Sequence, residues 1–405
     1  MVLTAVSLNA LGVARALGSH GVTVHAVDAS GDPRRPERAS RHFAEFWQPR
    51  DDSARALVDC LLENARRLGG ERPVLLAITD QSVEALAEHR AELEECFRIP
   101  AGSPQSVLEL LSKKGIDDAA HRHGMPVPAT RTVGSREELE RALSELRAPW
   151  ILKPQDKDEE FAASGAKKAY RFEAAAEALS TWDSFDGRLR HVVVQEYVPG
   201  GDRDVWFCLT AMSGASEPLA TFVGRKIRQW PPLCGGTASC EPVRGPDADT
   251  AARLTVDFFQ KTRQVGINAV EFKRDPRDGS LFMIEPTVAR TDWQSAIADI
   301  NGVPIPYLVY CDAVGAPQPA LRPTRLAWRW VEFSAEQKAV DYYRRAGELS
   351  RLGWLWSIRP PMCPAWFRFG DPGPALVMLR DRFGRALRKV RALFGRGRAV
   401  PGTHG

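Results

Sequence analysis

Val265-Gly266-Ile267-Asn268-Ala269-Val270-Glu271-Phe272-Lys273 is followed by Asp275-Pro276-Arg277-Asp278-Gly279 and then by Leu281-Phe282-Met283-Ile284-Glu285-Pro286-Thr287. Two alternating runs separated by proline and Asp-Gly form a β-hairpin signal. With the turn centred on Asp278, Glu271 lies directly opposite Glu285, Phe272 faces Ile284 and Val270 faces Pro286. One face is then apolar and the other presents two carboxylates. Like charges opposed on neighbouring strands destabilise the pair unless something neutralises them. A hard divalent cation does so, because Mg²⁺ takes carboxylate oxygens and keeps positions for phosphate oxygens and water. Thr287, two residues on and on the same face, offers a third oxygen. From this segment alone, an exposed hairpin with both glutamates in water is the competing expectation.

Upstream, the N-terminal segment alternates strand and helix. Val2–Val6 reads as a strand, Leu11–Leu17 as a helix and Val22–Val27 as a second strand closing on Asp28. The apolar run Val74–Ile78 suits a parallel strand buried on both faces. It ends in Thr79-Asp80, where Asp80 either caps the next helix or lines a ligand crevice at the strand's carboxyl end. Ser7–Gly12 holds one glycine where a dinucleotide fingerprint requires three, which argues against a nicotinamide dehydrogenase built on this unit. Ser103-Pro104 starts a helix, and the prolines of Gly124-Met125-Pro126-Val127-Pro128 force the chain out of helical geometry. Strands follow at Trp150–Lys153 and His191–Gln195, with a glycine-containing polar stretch, Ala162–Lys168, between them. Pro317, Pro319 and Pro323 mark a linker before a tryptophan-rich, then arginine-rich, C-terminal region.

Composition excludes several classes. The 405 residues are 44% hydrophobic and 26% charged, an ordinary mixture for a soluble globular protein. No apolar run approaches the ~20 residues that span a bilayer, and the N-terminus shows neither a basic leader nor a cleavage site. Seven cysteines without a CxxC pair or zinc-like spacing point to reduced thiols in a cytoplasmic protein. Between Arg380 and Arg398 eight basic residues stand against Asp381 alone, so that segment carries +7 within a formal total of +4. The body is therefore mildly acidic and is not built to wrap nucleic acid. Leu376, Leu379, Phe383, Leu387, Val390 and Phe394 fall on one face of a basic helix, near Trp354, Trp356, Trp366, Phe367 and Phe369. Such a helix either lies peripherally on anionic lipid, here the inner membrane surface, or docks its apolar stripe on the protein body. The oligomeric state stays open, a homodimer being compatible with the sequence.

Two acids on adjacent antiparallel strands, the second in a Glu-x-Asn pattern, resemble the metal site of the ATP-grasp superfamily. Glu271 and Glu285 match the two acids, Thr287 stands at the usual asparagine, and Arg290 resembles, displaced by one position, the arginine that follows. Other stations recur in the family's order. Lys113 precedes the Gly124–Pro128 segment like the first ATP lysine, and Lys153 resembles the second. Ser164 and Gly165 sit in a stretch like the loop that closes over phosphates. The resemblance places adenine against Gln195, Glu196 and Val198 and the ribose on Asp204, with Asp202 as the alternative. Lys226 and Arg228, together with Arg290, are expected to stabilise the transferred phosphoryl group.

The resemblance covers roughly Val2 to Val314 and is nearest to carboxylate–amine ligases such as those joining D-aspartate. It implies an α/β (α+β) ATP-grasp fold with four parts. These are a Rossmann-like pre-ATP-grasp domain (1–105), a small subdomain (106–196), a large subdomain with the metal site (197–315) and a helical, basic C-terminal extension (316–405). It implies ATP with Mg²⁺, or Mn²⁺ in its place, and small-molecule carboxylate and amine substrates joined through an acyl phosphate. With threonine in place of asparagine, an ATP-binding module without ligase activity is the alternative.

Overall fold

The computed structural model describes residues 1–70, 72–154, 170–184, 192–232 and 235–382. The N-terminal unit is a parallel sheet of β1 (Val2–Leu3), β2 (His25–Val27), β3 (Glu45–Trp47) and β4 (Leu75–Leu76), in the order β3-β2-β1-β4. Its strands are shorter than their apolar runs. Ser7 caps the helix Leu8–Gly18 by accepting from the Ala10 N–H, which draws the chain out of β1 early. Thr79 caps the helix Asp80–Glu88 through a reciprocal bond with Ser82, so Asp80 is released from the capping role that the sequence left open.

A second, antiparallel sheet follows, formed by β5 (Thr130–Val133), β6 (Trp150–Pro154), β7 (Tyr170–Phe172) and β8 (Val192–Glu196), in the order β5-β8-β6-β7. It has its own core, in which Leu139 and Leu143 of the helix Arg136–Glu145 pack on Trp150, Leu152, Val192 and Val194.

The largest sheet has seven strands: β9 (Val205–Met212), β10 (Pro218–Trp230), β11 (Gly236–Pro242), β12 (Gly266–Arg274), β13 (Leu281–Thr287), β14 (Arg329–Val331) and β15 (Met362–Pro364). The order is β13-β12-β9-β10-β11-β14-β15, so the region past the proline linker contributes two strands to the central sheet. Alternate side chains serve opposite faces. Phe207, Leu209 and Ala269 join the core shared with Leu11, Leu308 and Trp330. Trp206, Cys208 and Phe272 pack with Phe258 and Phe259 of the helix Pro246–Lys261. We call the first, which the helix Ile305–Val314 covers, the inner face, and the second, which the helix Pro246–Lys261 covers, the outer face.

The N-terminal unit is tied to the segment after β15. Arg15, on the first helix, donates from Nε to Asp371 Oδ2 at 2.8 Å and from Nη1 to the Ala365 carbonyl at 2.8 Å. Ser40 and the Arg41 N–H also donate to the Asp371 carboxylate. Among the described residues no helix is long and apolar enough to cross a membrane.

Candidate functional site

The hairpin's two acids lie opposite one another: Glu271 pairs with Glu285, Val270 with Pro286 and Ala269 with Thr287. One step toward the turn the register slips, and Phe272 faces Met283 instead of the expected Ile284. The turn is the cause. Asp275 N–H donates to the Ser280 carbonyl and Gly279 N–H to the Asp275 carbonyl, each at 2.8 Å, with Gly279 at φ +81°. This closes the hairpin one residue tighter than a turn centred on Asp278. A bulge at Ile284, which is left 49% exposed, absorbs the difference before Glu285 is reached.

Glu271 lies opposite Phe207 and therefore on the inner face. Lys226 reaches it from β10, with Nζ 2.8 Å from Glu271 Oε2 and 3.3 Å from Gln229 Oε1. Arg228 does not follow, although residues two apart on a regular strand share a face. Lys226 pairs with Cys240, Arg228 with Ser239 and Gln229 with Thr237, so single bulges at Ile227 and Ala238 turn the Arg228–Ser239 pair to the outer face. There Arg228 Nε donates to Glu336 Oε1 at 2.7 Å and Nη2 to Ser357 at 2.8 Å. Arg228 thus holds the C-terminal helices, and the expectation that it meets a phosphoryl group is corrected.

The loop after β13 brings residues that the sequence reading did not select. Asn268 Oδ1 accepts the Ala289 N–H at 3.1 Å and holds Ala289 at φ +55°, a costly conformation for a residue with a Cβ. The turn aims Arg290 at Asp80 (Nε–Oδ1 2.5 Å), with Asp292 3.6 Å from its Nη1. Asp80, freed from capping, thus pairs with Arg290 beyond the carboxyl end of β4. Thr287 donates its hydroxyl to Asp292 Oδ1 at 2.8 Å, making Asp292 a third carboxylate beside the glutamates. Spacing alone gave no sign of it, because it reaches the site only through the Ala289 turn. Asn9 anchors the same loop, donating to the Thr291 carbonyl at 2.6 Å.

Burial raises the Glu271 carboxyl above its ordinary range, with Lys226 opposing. Burial, followed by the charges of Glu271 and Asp292, raises Glu285, and burial raises Asp292. Three acids that resist ionisation together fit a hard cation. Among the described residues no three His, Cys, Asp or Glu side chains are arranged to hold a metal unaided. A cation here would complete its shell with phosphate and water oxygens.

The stations upstream fall along the small sheet. Lys153, next to last in β6, donates to Gln195 Oε1 at 3.1 Å, and Gln195 donates to Thr130 at 2.9 Å. The Glu196 carboxylate accepts the Arg147 N–H at 2.8 Å, and the Glu196 and Tyr197 N–H groups donate to Ala129 and Pro149. Val198 is buried at the start of the connector to the large sheet. Asp202 is buried and accepts from the Gln229 backbone and side chain and from Tyr343, so it is structural. Asp204 is more accessible and accepts the Gly201 N–H at 2.9 Å. Lys113 is exposed in the first turn of the helix Lys113–His123. Ser164 and Gly165 lie outside the described residues. The hairpin meets the small sheet's approach, as Met283 N–H donates to Pro126 at 2.7 Å and Arg147 pairs with Asp278 at 3.2 Å.

No protein-family model matches the chain. The D-aspartate ligase of Enterococcus faecium is 24% identical over 333 residues, covering 77% of this chain and 76% of that protein. Phosphoribosylglycinamide synthetase from Anaerococcus prevotii superposes with a TM-score of 0.58 at 14% identity, over 78% of this chain and 74% of its own. The biotin carboxylase domain of Hydrogenobacter thermophilus 2-oxoglutarate carboxylase, in complex with MgADP, ADP and bicarbonate, superposes with a TM-score of 0.59 at 12% identity, over 79% and 70% of the two chains.

Proposed function

We propose that this ATP-grasp enzyme joins the carboxylate of an amino acid or small acid to an amine, through an acyl phosphate, releasing ADP and phosphate. The observation that carries the reading is the facing pair Glu271–Glu285 on the inner face, with Lys226 on one acid and Arg290 beside them. The likeness to a D-aspartate ligase supports an amino acid as the carboxylate.

In this reading adenine lies against Gln195, Glu196 and Val198, and the ribose hydroxyls meet Asp204. Lys113, Lys153 and the Ser164-Gly165 stretch engage the phosphates. Glu271 and Glu285 hold Mg²⁺. Thr287, as hydroxyl donor to Asp292, keeps its lone pairs for the same cation. When bound, the cation neutralises phosphate charge that the carboxylates alone would repel. Lys226 and Arg290 stabilise negative charge as the substrate carboxylate oxygen bonds to the γ-phosphorus and the bond to ADP breaks. The amine then adds to the acyl carbon and phosphate leaves, so no protein nucleophile is needed.

The product test is direct. With an amino-acid and small-acid panel and an amine, ADP and phosphate are expected in equal amounts with the amide. AMP and pyrophosphate would instead indicate an adenylating enzyme. ATP hydrolysis that responds to no carboxylate or amine would leave a binding module.

The site also has a pH signature. A carboxyl whose folded pKa is raised contributes stability that is complete below its unfolded value, near pH 4, and lost as pH rises through the folded value. Glu271, Glu285 and Asp292 therefore destabilise the metal-free chain increasingly from about pH 4 toward neutrality. The gain in Tm on adding Mg-ATP is expected to grow across that interval, as read by scanning calorimetry. A gain independent of pH would place the cation elsewhere.

A further inference from the structure

The outer face carries a surface that the proposed reaction does not use. The short helix Arg351–Ser357 leaves Leu352, Leu355 and Trp356 79%, 54% and 70% exposed. Their spacing puts them on one stripe. Large apolar side chains grouped in this way mark a contact surface more often than scattered ones do.

A cationic cluster adjoins the stripe through an unbroken set of contacts. Arg359 lies 4.6 Å over the Trp356 ring, and its carbonyl accepts from Arg329 Nη1 at 3.0 Å. Arg329 Nε is 3.3 Å from Glu241 Oε2, yet this buried nitrogen has no hydrogen-bond partner among the described residues. Arg203 and Arg225 approach the other oxygen of Glu241, at 2.5 and 2.8 Å. Three guanidinium groups thus surround one carboxylate, and with Arg359 beside Arg329 the cluster holds four positive charges against one negative, in an otherwise mildly acidic body. Arg225 lies opposite Trp206, so the cluster is on the outer face, away from Glu271 and Glu285.

We propose that Leu352, Leu355 and Trp356, with the arginine cluster beside them, dock this protein on the surface of an anionic lipid bilayer. The apolar stripe enters the headgroup boundary while the exposed guanidiniums of Arg203 and Arg359 meet lipid phosphates, the pairing that interfacial helices use. A nucleic acid would satisfy the arginines but not three protruding apolar side chains. The +7 segment from Arg380 to Arg398 adds long-range attraction of the same sign. Docking by the outer face leaves the inner face open to substrates.

Flotation with phosphatidylcholine vesicles, alone or mixed with phosphatidylglycerol, tests this in the full chain. Wild type is expected to float with the mixed vesicles only. The triple variant Leu352→Ser, Leu355→Ser, Trp356→Ser should bind at least about 10-fold more weakly, and Arg203→Gln with Arg359→Gln should also weaken binding. A variant with Arg385, Arg388, Lys389 and Arg391 changed to Gln should keep most of it. Unchanged Mg-ATP affinity in the serine variant verifies its fold, because none of the three residues touches the inner face. A serine variant that floats like wild type, absence of flotation by wild type, or loss only on neutralising the C-terminal segment each overturns the proposal. So does heparin retention that needs Arg203 and Arg359 without any vesicle binding, which would make the cluster a polyanion site.

Discussion

Glu285→Gln is expected to lower turnover by about 10³-fold, on the scale seen when a transition-state electrostatic contact is removed, while leaving the fold at least as stable as wild type. The two halves of this expectation come from one arrangement. Glu285 faces Glu271 across the hairpin, and Asp292 lies near both. With no cation bound, the negative charges of Glu271 and Asp292 act on Glu285 and oppose its ionisation. An amide of the same shape removes that repulsion, so the metal-free variant should melt no lower than the parent. It also removes one anionic oxygen from the cation's shell, so the stabilisation by Mg-ATP should largely vanish. Calorimetric melting with and without Mg-ATP, beside a steady-state assay, reads both. A variant that keeps its turnover and its Mg-ATP shift would mean that the acids serve the hairpin and nothing else.

Asp371→Ala should cost about 3–5 kcal/mol of stability, the usual penalty for leaving one member of a buried ion pair without its partner. For a chain of this length that corresponds to a fall of about 5 °C in Tm. Arg15 is 3% exposed and Asp371 2%, so neither charge can turn to water. Burial pushes the Asp371 carboxyl up, but hydrogen bonds from Arg15, the Arg41 N–H and Ser40 outweigh it and hold the group below the ordinary carboxylate range. A depressed carboxyl contributes stability that is present above its unfolded pKa and lost as pH falls through the folded one. Wild type should therefore lose this contribution in acid, whereas Asp371→Ala, having already lost it, should show a flatter acid limb. Pairing Arg15→Met with Asp371→Leu should recover most of the loss, because the buried charge is gone from both sides. A single variant as stable as wild type would show that Arg15 finds another anion.

The hairpin was legible because its information is local. Period-two alternation with an Asp-Gly turn brings Glu271 opposite Glu285 without help from distant residues. What failed nearby was the count beyond Ile284, since a turn closed by Asp275 and Gly279 needs a bulge that alternation does not encode. The same limit explains Arg228, which shares a face with Lys226 in any regular strand. Asp292 and Asp80 were illegible as a pair: one depends on the Ala289 turn held by Asn268, the other on Thr79 taking the cap. The C-terminal strands Arg329–Val331 and Met362–Pro364 are too short to carry a periodic signal, and tertiary packing on β11 decides them.

The compensating irregularities at Ile227 and Ala238 make that ribbon a length-sensitive device. Between them a single pair is inverted, and beyond them the original phase returns. Loss of one residue from either strand would leave the phase shift uncorrected, sending Lys226 or Gln229 through to the wrong side. Point changes here alter one contact, whereas a one-codon deletion would rewire two surfaces at once. Such deletions should be far rarer than substitutions among functional descendants of this chain.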